Sequence, residues 1–440
     1  MNYDPYWRNP NILWKKSSIL AAEPFTVAEY DKFHNEATGS DHFHTAIAPV
    51  LTMSQLFGVF PLQSVRNRAP ESMTFRTVSV TCVVSAISIF GGYAISLLSL
   101  IRQGRALNAI NIAEPFFFSI CATSSVIFWQ MAKQWQAIIV TWSRTERKFL
   151  HHPFRKTVLK WKIRSVATVL LLLAFAEHLL SVANNVSNLR REVDYCNWTI
   201  RDPVKFFCVR TFSTAFHTVA YSLPVAAYNE YIIISMTFVW NFVDLFIMLV
   251  SIGISARFDQ LRDRVFERMN SRTPTTEHFW EQIRILYVAL CELAGTINRA
   301  ISKLVFVSYA NDTYFICLQI MNASQEQPSA VNKVYFCYSF VYLLLRTFLM
   351  FWYSSEVQHA SHATYRLILR VPNEEYCDEL QRLQMYSKCG ASLNGMGVFF
   401  VSRRILLTLT GTIITYELVM LSYRKDSSEQ HSSKLSCDPW

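Results

Sequence analysis

Charged and amide side chains inside apolar helices are costly, and three apolar blocks of this chain carry them at regular spacing. In the block at about 163–186, Glu177, Ser181 and Asn184 fall at i, i+4 and i+7, with His178 and Asn185 beside them. At about 301–322, Tyr309, Asp312 and Gln319 fall at i, i+3 and i+10, with Asn311 adjacent. At about 331–353, Tyr335, Tyr338, Tyr342 and Arg346 fall at i, i+3, i+7 and i+11. Each set lies along one helical face. Two kinds of chemistry fit them. Glu177 or Asp312 could pair with Arg346 and tie a helix bundle together. Alternatively, carboxylates, amides and tyrosine rings could line a pocket for a neutral, polyhydroxylated ligand, which needs hydrogen-bond partners and flat aromatic faces. His217, Tyr221 and Asn229 are candidates for its lid.

A further stretch, Val401 to Tyr423, is as long as a helix that crosses a bilayer core. Arg403 and Arg404 open it. Thr408, Thr412, Thr415, Val419 and Ser422 then recur at i, i+4, i+7, i+11 and i+14 along one face. Such a stripe can seal against a neighbouring helix, bond each hydroxyl to its own backbone, or line water. Spacing alone leaves all three open.

These stripes must sit on elements that the composition already limits. Of 440 residues, 51% are hydrophobic and only 17% charged, against about 25% charged in soluble domains. The apolar residues gather in blocks of spanning length at about 75–100, 113–140, 163–186, 230–256, 301–322, 331–353 and 401–423. The expected fold class is all-α, a polytopic membrane protein with seven transmembrane helices in the lipid bilayer. A net charge of +10 would point to nucleic acid in a soluble chain. Here the cations crowd alternate connections instead, from Arg144 to Arg164, from Arg257 to Arg272 and from Arg366 to Lys388. That asymmetry places those connections inside, the N-terminus in the cytoplasm and the C-terminus outside, and no nucleic-acid partner is expected. Met1 to Lys32 lacks the apolar core of a signal peptide, so the first span is expected to direct insertion.

The connections carry weaker signals. Residues 48–62 form an apolar helix candidate too short to span, read as interfacial or docking. The stretch 187–228 reads as a long outer connection. It contains the sequon Asn197-Trp198-Thr199, a glycosylation site if the loop is outside, flanked by Cys196 and Cys208, which could form a disulfide or stay free. Thr273-Pro274 is expected to break the helix that follows the fourth span. The ten cysteines include no CxxC pair. His359 and His362 have no evident carboxylate or cysteine partner, so neither a metal site nor a cofactor is expected. No phosphate loop, nucleophile elbow or HExxH occurs, and an enzyme is not expected.

Several strings resemble the insect gustatory receptor family, specifically its sugar (sweet taste) receptor branch. Thr415 and Tyr416, five residues, then Ser422 and Tyr423 resemble the Thr-Tyr-five-apolar-Gln-Phe signature that closes the family, with Ser for Gln and Tyr for Phe. WNFVDLFIMLVSIGISARFDQL, NDTYFICLQIMN, the Glu177-His178 pair and the Phe-Gly-x-x-Pro segment at Phe57 are similar to sugar-receptor versions. The resemblance runs from about Met53 to Tyr423. It implies a fold related to insect odorant receptor channels and a ligand-gated, non-selective cation channel in the plasma membrane of gustatory receptor neurons. Sugars, mono- or disaccharides, would bind between the outer halves of helices three to six. Four copies of the last helix would form the pore, in a homotetramer or a heteromer with other gustatory receptors. The domains then expected are a cytoplasmic N-terminal region with a short docking helix (1–73) and a ligand-binding bundle of six transmembrane helices (74–353). A cytoplasmic anchor region (354–400), a pore-lining seventh helix (401–424) and an extracellular tail (425–440) follow. A sugar carrier, or an accessory subunit needing a paralogue to conduct, are the alternatives.

Overall fold

Apolar runs satisfy their backbone groups in lipid most simply as helices. The computed structural model describes residues 41–104, 112–150, 153–271, 275–323, 328–405, 408, 411 and 415, and they are helical almost throughout. In chain order the helices are α1 (Phe43–Leu56), α2 (Val80–Gln103), α3 (Ala113–Arg147), α4 (Leu159–Cys196), α5 (Pro203–Thr211) and α6 (Ser213–Phe216), followed by α7 (Leu223–Met269), α8 (Glu277–Ala323), α9 (Ala330–Ile368) and α10 (Asp378–Cys389). A two-stranded hairpin, β1 (Asn394–Gly395) and β2 (Phe399–Phe400), precedes the last apolar stretch. Among the described residues six helices, α2, α3, α4, α7, α8 and α9, are long and apolar enough to cross a membrane. The seventh expected span lies mostly outside the described residues. Arg403, Arg404, Ile405, Thr408, Gly411 and Thr415 are helical, whereas Thr412, Tyr416, Val419, Ser422 and Tyr423 fall outside them.

The helices differ in how they meet their surroundings. In α7 every residue from Asn241 to Ser255 is buried, so it is the central helix, apolar all round because it is packed all round. On α4 the buried residues reduce to Leu159, Ile163, Ala167, Leu170 and Glu177, a narrow stripe. Its Val169, Leu172, Phe175, Leu179 and Val182 point outward, as a lipid-facing surface requires. Packing on α2 uses a stripe of small residues, Ser85, Ser88, Gly92, Ser96 and Ser99, that lets the backbones of α3 and α7 come close.

Helices outlast the apolar blocks at one end or both. The sixth expected span continues as α9 to Ile368, and the amphipathic stretch 279–300 and the fifth span are one helix, α8. Polarity does not stop a helix; caps do. The expected outer loop 187–228 is therefore corrected. Residues 187–196 contain neither Gly nor Pro and extend α4 until Asn197 ends it in the left-handed conformation (φ 49°). Asn197 and Thr199 of the sequon are exposed. Asp202 accepts from the Lys205 amide and starts α5. Of the two outcomes open for Cys196 and Cys208, they are not joined: Cys196 is disulfide-bonded and Cys208 is a free thiol. Thr273 and Pro274 lie outside the described residues.

The short N-terminal helix α1 docks in protein rather than lying at an interface, because Phe43, Ala46, Ile47, Val50 and Leu51 are all buried. Phe43 stacks on Trp142 of α3 at 3.9 Å between ring centres. Gly253 of α7 makes room, since a Cβ there would stand 2.6 Å from Phe43 and 2.7 Å from Trp142. Beyond α1, Phe60 takes φ 59°, unusual for a bulky residue. Its buried ring fits among Phe128, Trp135 and Phe246, and that packing offsets the backbone strain.

One buried ion pair fastens this end. Arg257 of α7 pairs with Glu146 of α3 and donates to the Asp41 carbonyl (2.6 Å) and to Gln260 Oε1 (2.7 Å). Glu146 also accepts from the Phe43 amide at the start of α1 (3.0 Å), and Asp41 accepts from the Leu159 amide at the start of α4 (3.0 Å). Nearby, α10 is tied to α8 by Glu379 and Arg284, whose hydrogen bond holds the Glu379 carboxyl below its usual range. Arg257→Met strands the buried Glu146 carboxylate and should destabilise the protein by about 3–5 kcal/mol. Adding Glu146→Gln should recover most of that loss, which thermal unfolding of the detergent-solubilised chain would measure.

Candidate functional site

The stripes on α4 and α9 meet along one seam. Tyr338 donates to the Leu173 carbonyl (3.0 Å), and the Tyr342 hydroxyl oxygen lies 3.3 Å from the Leu170 carbonyl. Ser339 donates to Glu177 Oε1 at 2.6 Å, and Ser181 lies within hydrogen-bonding reach of Tyr335. Further along, Asn332 Nδ2 donates to Asn188 Oδ1 at 2.9 Å. Glu177 thus takes a hydroxyl from α9 in place of an ion pair with Arg346. Tyrosines a turn apart suit this seam because each phenol reaches a carbonyl of α4 while its ring packs between the helices.

Arg346 carries the network on into α7 and α8. Its Nε lies 2.7 Å from Asp244 Oδ2, and its Nη2 donates to Asp312 Oδ1 at 3.2 Å. Nη1 donates to Asn241 Oδ1 at 2.7 Å, an oxygen that also accepts from Tyr342 at 2.9 Å. Thr347 donates to Asp312 Oδ2 at 2.9 Å, and Ser308 donates to Asp244 Oδ1. The Trp240 ring covers the guanidinium, 4.4 Å from its centre. Arg346, Asp244 and Asp312 are each at most 1% exposed. Of the two readings of Asp312, the structure displays the ion pair with Arg346. Asn311, next to it, faces a small cavity between α3, α7 and α8 with room for roughly one water molecule.

The remaining expected residues are not gathered here. Tyr309 packs between Phe351 (5.6 Å) and Phe399 of the hairpin (4.7 Å). Gln319, His178 and Asn184 are half-buried on their helices. His217 is exposed, Tyr221 packs beside Phe216 under the Lys205 ammonium, and Asn229 bonds the Val225 carbonyl of its own helix. On the last helix, Thr408 and Thr415 are exposed and donate to the Arg404 and Gly411 carbonyls. Asn241, Asp244, Ser308, Ser339 and Thr347 were not legible as stripe members. Asp244 did carry a signal, being the sole charge between Tyr231 and Ala256.

The hairpin links this bundle to the last helix. Val398 N–H bonds the Gly395 carbonyl across Met396 and Gly397, both at positive φ, a turn whose twist suits two strands. Asn298 of α8 accepts from the Asn394 amide (2.9 Å). Arg403 donates to Glu356 of α9 (2.7 Å) and sits over Trp352. Arg346→Met leaves two buried carboxylates without their cation and should lower stability by at least about 3 kcal/mol. Asp312→Asn, which leaves one carboxylate on the guanidinium, should cost much less in the same unfolding assay.

Residues 25–437 match the family model described as "Trehalose receptor". The chain is 32% identical over 411 residues to the Drosophila melanogaster "Gustatory receptor for sugar taste 64f", covering 91% of this chain and 85% of that one. It is 26% identical over 430 residues to "Gustatory receptor 5a for trehalose" of the same species, covering 97% and 95%. In fold it resembles the olfactory receptor OR5 of Machilis hrabei, solved in complex with eugenol. That match has a TM-score of 0.65 at 14% identity and covers 87% of this chain and 99% of the other. The chain therefore belongs to the trehalose receptor family, the sugar gustatory receptors of insects, and shares the fold of insect olfactory receptors.

Proposed function

We propose that this chain is a sugar-gated, non-selective cation channel subunit in the plasma membrane of gustatory receptor neurons. The observation that carries this reading is its identity, over most of its length, to receptors named for sugar taste. The basic connections favour a cytoplasmic N-terminus and an extracellular C-terminus across seven spans. Four subunits, of this chain alone or with other gustatory receptors, contribute residues 401–424 to a central pore. Val419 supplies an apolar ring there that gates by dewetting.

Mono- or disaccharides enter from outside and settle against the α4–α9 seam. Glu177, His178, Ser181, Asn184 and Tyr338 offer acceptors, donors and a ring face there, with His217, Tyr221 and Asn229 as the lid. Glu177 is the key contact, because Ser339 occupies only one of its oxygens. Asp312 and Tyr342 form the wall behind. Asp312 orients that wall through Arg346. Closing the seam shifts α8 against α9. The Tyr309 ring then presses on Phe399, and the hairpin passes the movement to Arg403 and the last helix.

A second reading, an accessory subunit silent without a paralogue, is favoured by Ser422 and Tyr423 standing where the family signature has Gln and Phe. Patch recording from cells expressing this chain alone separates the two. Unitary cation currents within milliseconds of sugar, without added nucleotide, are expected for the autonomous channel. Silence despite surface expression, rescued by a related subunit, would establish the accessory role. Slow saturable sugar uptake without unitary steps would overturn both. Glu177→Gln should raise the half-maximal sugar concentration about tenfold, equivalent to ~1.4 kcal/mol, and unchanged sensitivity would remove Glu177 from the site. Val419→Ala should raise the resting leak, and an unaltered leak would exclude Val419 as the gate.

A further inference from the structure

Charge balance in the core is incomplete. Asp244 and Asp312 are both in contact with a single cation, Arg346. Glu177 of α4, a further acid whose charge Arg346 feels, adds no cation. Three of the four carboxylate oxygens accept a hydrogen bond, while Asp244 Oδ2 lies beside Arg346 Nε without one. Ser308 and Arg346 Nε meet Asp244, while Thr347 and Arg346 Nη2 meet Asp312. With both ionised, the cluster holds one negative charge more than Arg346 neutralises. A buried excess of one negative charge in a membrane-spanning bundle is costly unless a counter-ion joins it.

The cavity between α3, α7 and α8 lies beside that excess. It is lined by Ser124, Asp244, Ser308 and Asn311, with Trp240 along one wall. Asn311 is 4% exposed, and its Oδ1 has no hydrogen-bond partner. Ser124 donates to the Ile120 carbonyl and Ser308 to Asp244, so both hydroxyl oxygens keep free lone pairs. Four residues with side-chain oxygens, one of them a carboxylate, are among the nine that line this space for about one water molecule. Oxygen ligands suit hard cations, and Ca²⁺ would take 6–8 of them. Four oxygens and a single excess charge match a monovalent ion.

We propose that this cavity is a structural binding site for a small monovalent cation of sodium's size, held by Asp244, Asn311, Ser308 and Ser124 as the missing counter-ion of the Arg346 network. None of the residues lining the site belongs to α4 or α9, so it is not the hydroxyl-rich seam. Its occupant would lock α3 to α7 and α8 and set the resting packing of the bundle.

The test uses the full chain in detergent micelles without sugar, so its outcome is independent of gating. Thermal unfolding is followed as NaCl replaces choline chloride at constant ionic strength. The midpoint should rise by several degrees and saturate with sodium, as expected for a ligand that binds only the folded state. Asn311→Leu and Ser124→Ala should abolish the sodium response while the chain remains folded in choline. Asp244→Asn, which removes the excess charge, should abolish it too. Equal midpoints in sodium and choline would overturn the proposal, as would a sodium response that survives in Asn311→Leu. A midpoint that moves with pH and not with sodium would assign charge balance to a proton instead, and would equally overturn it.

Discussion

The Arg346 guanidinium, shared by Asp244 and Asp312 beneath the Trp240 ring, is the interaction on which the rest of this bundle depends. Lipid-embedded helices gain little from apolar burial against one another, because the tails outside are as apolar as the side chains inside. What selects one packing is then close backbone approach and polar groups that have no partner elsewhere. Arg346 supplies the second for α7, α8 and α9 at once. Removing it would leave carboxylates in a medium that does not solvate them.

A second polar fastening, Arg257 with Glu146, works at the basic end. There the carboxylate also receives the first amide of α1, and the adjoining Asp41 receives the first amide of α4. One ion pair thereby fixes four chain segments. Between the two fastenings α7 runs buried on all sides, so both networks are anchored on one rigid helix. Movement in such a bundle is more easily taken up at its margins, along the α4–α9 seam and at the hairpin, than along α7 itself. The aromatic contact of Tyr309 with Phe399 lies on the second of these margins.

Part of the polar network was legible from spacing. The tyrosines of α9 do share a face with Arg346, and that face does meet the face of α4 that holds Glu177. Helical phase predicts which residues look the same way, and it did so here for Tyr338, Tyr342 and Arg346. Phase does not say which neighbour each residue meets. Tyr309 and Asp312 stand three residues apart on α8, yet one packs on a hairpin ring and the other on an arginine. Asp244 was overlooked because a single carboxylate has no period, although a lone charge in so apolar a block is itself a signal.

By itself the sequence determined the class of protein and six of the seven long apolar helices it led one to expect, because backbone groups in lipid permit few alternatives. It also determined which family the chain belongs to, through the strings around Trp240, Asn311 and Thr415. Only the tertiary structure decided where helices end, because capping and neighbouring contacts carry α4, α7 and α9 well past their apolar blocks. It decided that the N-terminal helix docks inside the bundle, that Cys196 and Cys208 are not joined, and that Asp312 shares its cation with Asp244. Those outcomes depend on which helices pack together at which depth, and residues more than 60 positions apart, such as Asp244 and Ser308 (|i−j| = 64), leave no local pattern to read.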